Sequence, residues 1–143
     1  MNLTIRIMGS ADAAVVNTLS AQLGYVHSVQ ETLERMQHLL QSEYDCLLVA
    51  LWGDDIAGWV HAFKTTRLEA GNYTEIAALV VDEQFRGKKI GEQLVNAIKE
   101  WGLQQGYRKL VVRSNVLRNR AHHFYLICGF TEVKEHKVFE LHL

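Results

Sequence analysis

Six consecutive residues, Arg86-Gly87-Lys88-Lys89-Ile90-Gly91, have the types and spacing to hold an anion. They follow an apolar run, Ile76 to Val81, with no polar residue on either face, as in a strand buried within a sheet. They lead into Ile90, Leu94, Ile98 and Trp101, whose i, i+4, i+8, i+11 spacing predicts one face of an α-helix. Strand, tight loop and helix N-terminus make a phosphate-binding geometry, because the first helical turn has free N–H donors and the positive end of the macrodipole. Gly87 and Gly91 let the backbone approach a ligand without a Cβ in the way, and Arg86, Lys88 and Lys89 add charge. Two other residues have the chemistry to move protons. Glu75 enters the apolar strand, where a carboxylate is costly unless it is exposed at the strand's end or functional. Tyr125 follows Phe124 in a helical pattern, so the two side chains diverge by about a quarter-turn. Phe124, with Ala121 and Cys128, takes the core face and leaves Tyr125 for a cleft.

The loop has neither the G-x-x-x-x-G-K-[ST] spacing of a P-loop nor the G-x-G-x-x-G of a dinucleotide fold. It resembles the acyl-CoA signature R/Q-x-x-G-x-G/A of the GNAT N-acetyltransferase superfamily. Arg86 takes the first position and Gly91 the last, and Lys89 stands where the middle glycine is usual. A second stretch, Arg113 to Phe130, is similar to the other hallmark of that superfamily, A-x-x-F-Y-x-x-x-G-F. Ala121, Phe124, Tyr125, Gly129 and Phe130 match it, while Arg118 replaces the usual asparagine. Ser114-Asn115 and Ala121-His122 resemble a small bacterial branch with aminoalkylphosphonate and aminoglycoside acetyltransferases. The likeness covers residues 70–143, and two motifs in the right order identify the chain as a member of the superfamily.

The resemblance implies an α/β fold: a mixed, mostly antiparallel sheet with a central splayed parallel pair and helices on both faces. It also implies acetyl-CoA as cosubstrate, no metal, and direct attack of a primary amine within a ternary complex. Coenzyme A is then expected at Leu79, Val80, Val81, Arg86, Gly87, Lys88, Lys89, Ile90, Gly91, Asn115, Arg118 and Ala121. An alkylammonium with a pKa of roughly 10.4 must lose a proton before it attacks, so a base is needed, and the departing thiolate benefits from an acid. Tyr125 is expected as the acid and Glu75 as the base, acting through water, with His61, Glu69 and His122 in reserve. A backbone N–H near Val80 or Val81 is expected to receive the developing oxyanion. A small-molecule amine is the expected acceptor. The alternatives are a protein or peptide amine, and a non-catalytic acyl-CoA sensor of the same fold.

Composition bounds these readings. The chain has 143 residues, 48% hydrophobic and 22% charged, and is expected to form a single domain over residues 1–143. Its longest apolar run, Cys46 to Trp52, is too short for a membrane span, no secretory leader is seen, and two cysteines make no disulfide framework. A cytoplasmic location is the expectation, with no membrane or nucleic-acid partner and room for a homodimer. His122-His123 offers too few ligands for a metal, and Cys46 and Cys128 read as buried thiols rather than nucleophiles. Trp52, Trp59 and Tyr25 either line a pocket or pack. Residues 1–75 carry nine acids against four bases, and 76–143 carry seven against eleven. That acidity, with Glu31, Glu34, Glu43 and Asp45 on the N-terminal helices and the turn after them, predicts a cationic acceptor, polyamine- or aminoglycoside-like.

The elements that must position these groups follow from patterning. Leu3–Met8 alternates as a strand, and Ser10 is expected to N-cap a helix to about Leu23. Ser28 and Glu31 form a capping box for a helix with the stripe Leu33, Met36, Leu39, Leu40. Residues 46–52 and 56–63 flank a Gly/Asp turn as a hairpin, and 72–81 is the next strand. A helix to about Gln105, a strand at 108–113, a helix at 118–128 and one or two strands in 130–143 complete the expected order.

Overall fold

The protein was analysed as a computed structural model, which describes residues 2–143. Two compact units are present, one running to Val112 and one spanning Arg113–Leu143. In the first, β1 (Leu3–Ile7) is followed by α1 (Ala13–Ala21) and α2 (Val29–Leu40). Next come β2 (Asp45–Trp52), β3 (Asp55–Arg67), β4 (Gly71–Val81), α3 (Ile90–Gln104) and β5 (Leu110–Val112). The strands form one sheet in the order β1-β2-β3-β4-β5, antiparallel except for the β4–β5 pair.

Side-chain parity divides the sheet between the helices. Leu47 and Val49 of β2, with Trp59 of β3, pack against Val16 of α1 and Met36 of α2. On the opposite face α3 sets Leu94 over Gly58, and Gly102 over Thr74. The expected stripe of α3 is its core side, for Ile90 is 1% exposed and Leu94 and Ile98 are 0%. Each such residue contributes about 1.5–3 kcal/mol by leaving water. A Cβ on Gly58 would lie 2.7 Å from the Val80 carbonyl oxygen, which explains a glycine in the middle of β3.

Two sequence expectations are revised. The first helix does not start at Ser10: residues Ser10–Asp12 form a 3₁₀ turn, and Asp12 is held by a bidentate pair to Arg6 at 2.8 and 3.0 Å. That buried carboxylate also accepts from the Gly9 N–H at 2.7 Å, so it anchors the start of α1 to β1. The capping box on α2 forms as expected, with Glu31 N–H donating to Ser28 Oγ at 3.0 Å. The sheet of this unit is mixed as expected, with β4 and β5 as its parallel pair.

The other revision falls in the second unit. Its helix, α4 (Asn119–Ile127), is followed by residues 128–143 without a strand. Val133, Val138, Phe139 and Leu141 there are all more than 80% exposed. An alternating pattern becomes a strand only when an edge pairs with it, and within this unit none does.

Candidate active site

β4 carries the feature that organises the site. Its register against β3 slips between His61 and Ala62, so that Ala77 is the extra residue of a β-bulge. Before the bulge, the Thr74 N–H donates toward β5, to the Lys109 carbonyl at 2.9 Å. Beyond it, the Asp82 N–H donates toward β3, to the Ala57 carbonyl at 2.8 Å. Backbone groups alternate sides along a strand, so Val80 faces β3 while Leu79 and Val81 aim their N–H groups away from it. The ladder to β5 covers only Thr74–Ile76. Of the two residues expected to supply an oxyanion donor, the geometry therefore favours Val81 over Val80, and adds Leu79.

After β4 the chain turns through a short 3₁₀ segment, Glu83–Phe85, into the exposed loop 86–89. The side-chain amide of Gln22, just past α1, bridges this turn by donating to Asp82 and accepting from the Glu83 N–H. Gly87 has φ +82° with nothing within 4 Å of where a Cβ would be. Lys89, the N-cap of α3, has φ 60° and ψ 25°, a left-handed conformation found at no other non-glycine among the described residues. A lysine stands in the backbone shape that a glycine adopts without strain. Lys88 lies 4.8 Å over the ring of Trp52, so Trp52 braces the loop. Ile90 and Gly91 are buried in the first turn of α3. A left-handed residue ahead of a helix N-terminus, an open glycine and three bases fit a pyrophosphate.

The expected base sits on the same strand. Glu75 is half-buried on β4, opposite Phe63, and faces the side of the sheet that carries α1 and α2. Glu69 is exposed in the turn before β4. His61 is the better-built reserve, and sequence reasoning missed its partner. The carboxylate of Asp45 accepts from His61 Nε2 at 2.7 Å, both side chains being mostly buried. A second bulge, between Ala50 and Leu51, shifts the β2–β3 register by one and brings Asp45 onto the face of His61.

His61 also lines a cavity of about 190 Å³ under α1 and α2. Most of its wall is apolar, including Val16, Met36, Leu39 and Leu47, and Ala78 beside the β4 bulge closes one side. Tyr25 and Trp59, two of the three aromatic residues left open between pocket and core, line it. None of the lining residues is acidic. Of the acids expected to attract a cation, Glu31 caps α2, Glu34 accepts from Gln30, Glu43 is exposed, and Asp45 holds His61 of the cavity wall.

The second unit contains Asn115, Arg118, Ala121 and Tyr125. Asn115 folds the turn before α4, its side chain accepting from the Leu117 N–H at 2.9 Å and its carbonyl from the Arg118 N–H at 2.9 Å. His122 Nε2 contacts the same carbonyl at 2.7 Å, which gives that histidine a structural task. Tyr125 packs edge-on between Phe124 and Phe130, with ring centroids 5.2 and 5.5 Å away. Burial pushes its phenol above the ordinary tyrosine pKa, while Arg118 pulls the other way. The thiol of Cys46 is pushed up by burial to about 11, which keeps it protonated and poorly nucleophilic. Among the described residues no cluster could hold a metal, and no helix is long and apolar enough to cross a membrane.

Comparison with known proteins gives the family and the fold. A stretch of 85 residues, 59% of this chain, is 33% identical to the aminoalkylphosphonate N-acetyltransferase of Salmonella typhimurium and covers 55% of it. Over 94 residues, 66% of the chain is 28% identical to 30% of the N-acetylaspartate synthetase of Homo sapiens. The chain thus spans about half the length, or less, of these curated relatives. Among solved structures, an aminoglycoside N-acetyltransferase AAC(6')-Iy in complex with CoA superposes with a TM-score of 0.89. At 18% identity, with 99% of this chain and 95% of that one covered, the likeness is one of fold. The acetyltransferase (GNAT) family model matches residues 13–130, through β4, the basic loop and α3, and the chain belongs to that family.

Proposed function

We propose that the chain transfers the acetyl group of acetyl-CoA to a small primary amine by direct attack. The observation that carries this is the run from the β4 bulge to α3. Two N–H groups aimed off the sheet and a basic, left-handed loop at a helix N-terminus lie a few residues apart. The pyrophosphate rests on residues 86–91, and the pantetheine runs beside Leu79–Val81. Asn115, Arg118 and Ala121 complete the coenzyme A contacts. The family match runs through both units, which supports one functional domain.

The chemistry balances without a further reactant. The acceptor ammonium loses a proton to Glu75 through water. The free amine attacks the thioester carbonyl, a C–N bond forms, the C–S bond breaks, Tyr125 protonates the leaving thiolate, and the new amide nitrogen gives up its second proton, which returns through water to the Tyr125 phenolate. The N–H of Val81 or Leu79 meets the charge on the carbonyl oxygen. Relatives named for aminoalkylphosphonate, N-acetylaspartate and aminoglycosides support a small-molecule acceptor over a protein lysine. A cytoplasmic setting fits the acetyl-CoA requirement.

The test is release of free thiol from acetyl-CoA across a panel of small amines and a lysine peptide. Turnover with a small amine is expected, while binding of acetyl-CoA without turnover of any amine would instead support the sensor reading. Glu75→Gln should flatten the rise of kcat/KM with pH rather than abolish turnover, since an exposed amine can lose its proton to solvent. An unchanged profile would move the base to His61.

A further inference from the structure

We infer that the proton Glu75 takes from the acceptor leaves the site through His61, held in place by Asp45, so that two carboxylates and one imidazole form a relay. The inference rests on the acetyltransferase reading and deepens its proton chemistry.

Register brings the three groups together. Asp45 of β2 and Glu75 of β4 both lie opposite Phe63 of β3, one on each side of it. Directly opposed residues of an antiparallel pair share a face, and so do residues two apart on one strand. Asp45, Glu75 and His61 therefore lie on one face, and His61 is the diagonal neighbour of both carboxylates by the same step along β3. Diagonal neighbours are roughly 7–8 Å apart, within reach of long side chains. Across one diagonal the contact is made, for His61 Nε2 lies 2.7 Å from Asp45 Oδ1. Across the other, glutamate is one methylene longer than aspartate.

The tautomer follows from the contact. A carboxylate only accepts, so Nε2 carries a proton and donates it, and neutral His61 keeps its lone pair on Nδ1. Among the described residues none bonds Nδ1, and Nδ1 is not one of the unpartnered nitrogens sealed from solvent. The other ionisable groups on the cavity wall are Arg35 of α2, with His27 and Tyr25 from the segment before it, and α1 adds none. Arg35 opposes a positive imidazole, while Asp45 and Glu75 favour one. A free glutamate, with a pKa of roughly 4.3, is a weak base toward an ammonium near 10.4, whereas an imidazole titrates close to neutral pH. Transfer from carboxyl to imidazole therefore runs downhill. The O–H bond of Glu75 breaks as an N–H bond forms at Nδ1, which renews the carboxylate, and the imidazolium then releases its proton to solvent.

The experiment follows thiol release from acetyl-CoA against pH, using the small amine that turns over fastest, together with NMR titration of the imidazoles in the full chain. His61→Gln should lower kcat/KM about a hundredfold, the low end of what a positioned base contributes, and remove the acid limb of its pH profile. Added imidazole should recover part of the loss in His61→Ala. Asp45→Asn keeps an oxygen for the Nε2–H and removes the charge that favours imidazolium. It should move the acid limb about one pH unit lower, the low end of what a nearby opposite charge does, and leave the alkaline plateau in place. In the NMR titration His61 should ionise at lower pH in Asp45→Asn and in Glu75→Gln than in wild type. A loss equal at every pH in variants with native circular dichroism, without rescue by imidazole, would mark a structural pair and overturn the inference. A titration moved by Asp45→Asn alone would take Glu75 out of the relay and overturn it too. Shifts in both variants without thiol release from any amine would keep the three groups coupled and sink the acetyltransferase reading.

Discussion

Lys89 turns a departure in the sequence pattern into a statement about backbone. Where a glycine is usual the chain keeps the glycine conformation, at φ 60°, and carries a lysine through it. Left-handed backbone costs a side-chain-bearing residue about 1–2 kcal/mol, and a glycine there gives back about 0.4–1 kcal/mol in unfolded-chain entropy. Lys89→Gly should therefore leave stability within about 1 kcal/mol of wild type in urea unfolding. Its effect on acetyl-CoA should appear in charge: lower affinity at low salt and near-native affinity at high salt. A salt-independent loss in titrations at two ionic strengths would show that the lysine sets the loop's shape. Tyr125 makes a separate prediction. Its phenol titrates above the ordinary value near 10 because burial disfavours the phenolate, so it remains an acid throughout the neutral range. A raised folded-state pKa stabilises below the unfolded value and is lost as pH climbs above it, so the window lies at pH 10 and higher. In an absorbance titration Tyr125→Phe should delete the late-ionising phenol, and in kinetics it should lower kcat with little change in acetyl-CoA affinity. Deletion of an early-ionising phenol would contradict the assignment. Both residues were legible in the sequence from motif position, but the φ of Lys89 and the aromatic cage of Tyr125 were not, because each depends on neighbours.

At the scale of elements, local signals read well and register did not. The capping box at Ser28, the stripe of α3 and the strand pattern of β4 are properties of a few adjacent residues, and each formed as its pattern required. The two bulges are different. Each moves one residue out of a ladder and flips the face of everything beyond it, so the pairing of Asp45 with His61 and the outward N–H of Val81 stayed invisible until the strands were paired. The anchor at the start of α1 was hidden for a similar reason, since Arg6 and Asp12 belong to different elements. Asp12 is 6% exposed, and its carboxyl is held below the usual carboxylate range, first by the Arg6 hydrogen bonds. A depressed carboxyl stabilises above its unfolded pKa, near 3.9, and that contribution is lost as pH falls through the folded value. Asp12→Asn should then cost about 1–3 kcal/mol at pH 7, discounted toward the low end because Arg6 is partly exposed. The difference from wild type should shrink in urea titrations below pH 4. A gap that stayed constant down to pH 2 would mean that packing, not the charge pair, is what the substitution disturbs.

Across the whole molecule the balance of charge matters more than its sum. The formal net charge is −1, yet eight of the fifteen Lys and Arg lie in segments 86–89 and 108–120, which contain no acid. Charge counting predicted the basic loop well, because a run of neighbouring bases remains a patch however the chain folds. The same counting does not place the N-terminal acids, which are a cap, surface groups and a histidine partner. Among the described residues the buried hydrophobic side chains lie between Met8 and Ile98, in the unit that also carries the loop. A ligand on residues 86–91 contacts that unit at the N-terminus of α3, whose Leu94, Val95 and Ile98 are its most buried residues. Acetyl-CoA should accordingly raise the melting temperature as its concentration rises. At one hundred times Kd the gain is about 2.7 kcal/mol, which for a chain of this size is a shift on the order of 10 °C. Because Arg86, Lys88 and Lys89 are exposed, the shift should fall by a third or more between 0.05 and 0.5 M salt as screening shortens to about 4 Å. Desulfo-coenzyme A, which retains every phosphate, should match coenzyme A, and pantetheine, which lacks the phosphates, should give little shift. A shift as large with pantetheine as with coenzyme A would place the binding energy on β4 and leave the basic loop without its assigned task.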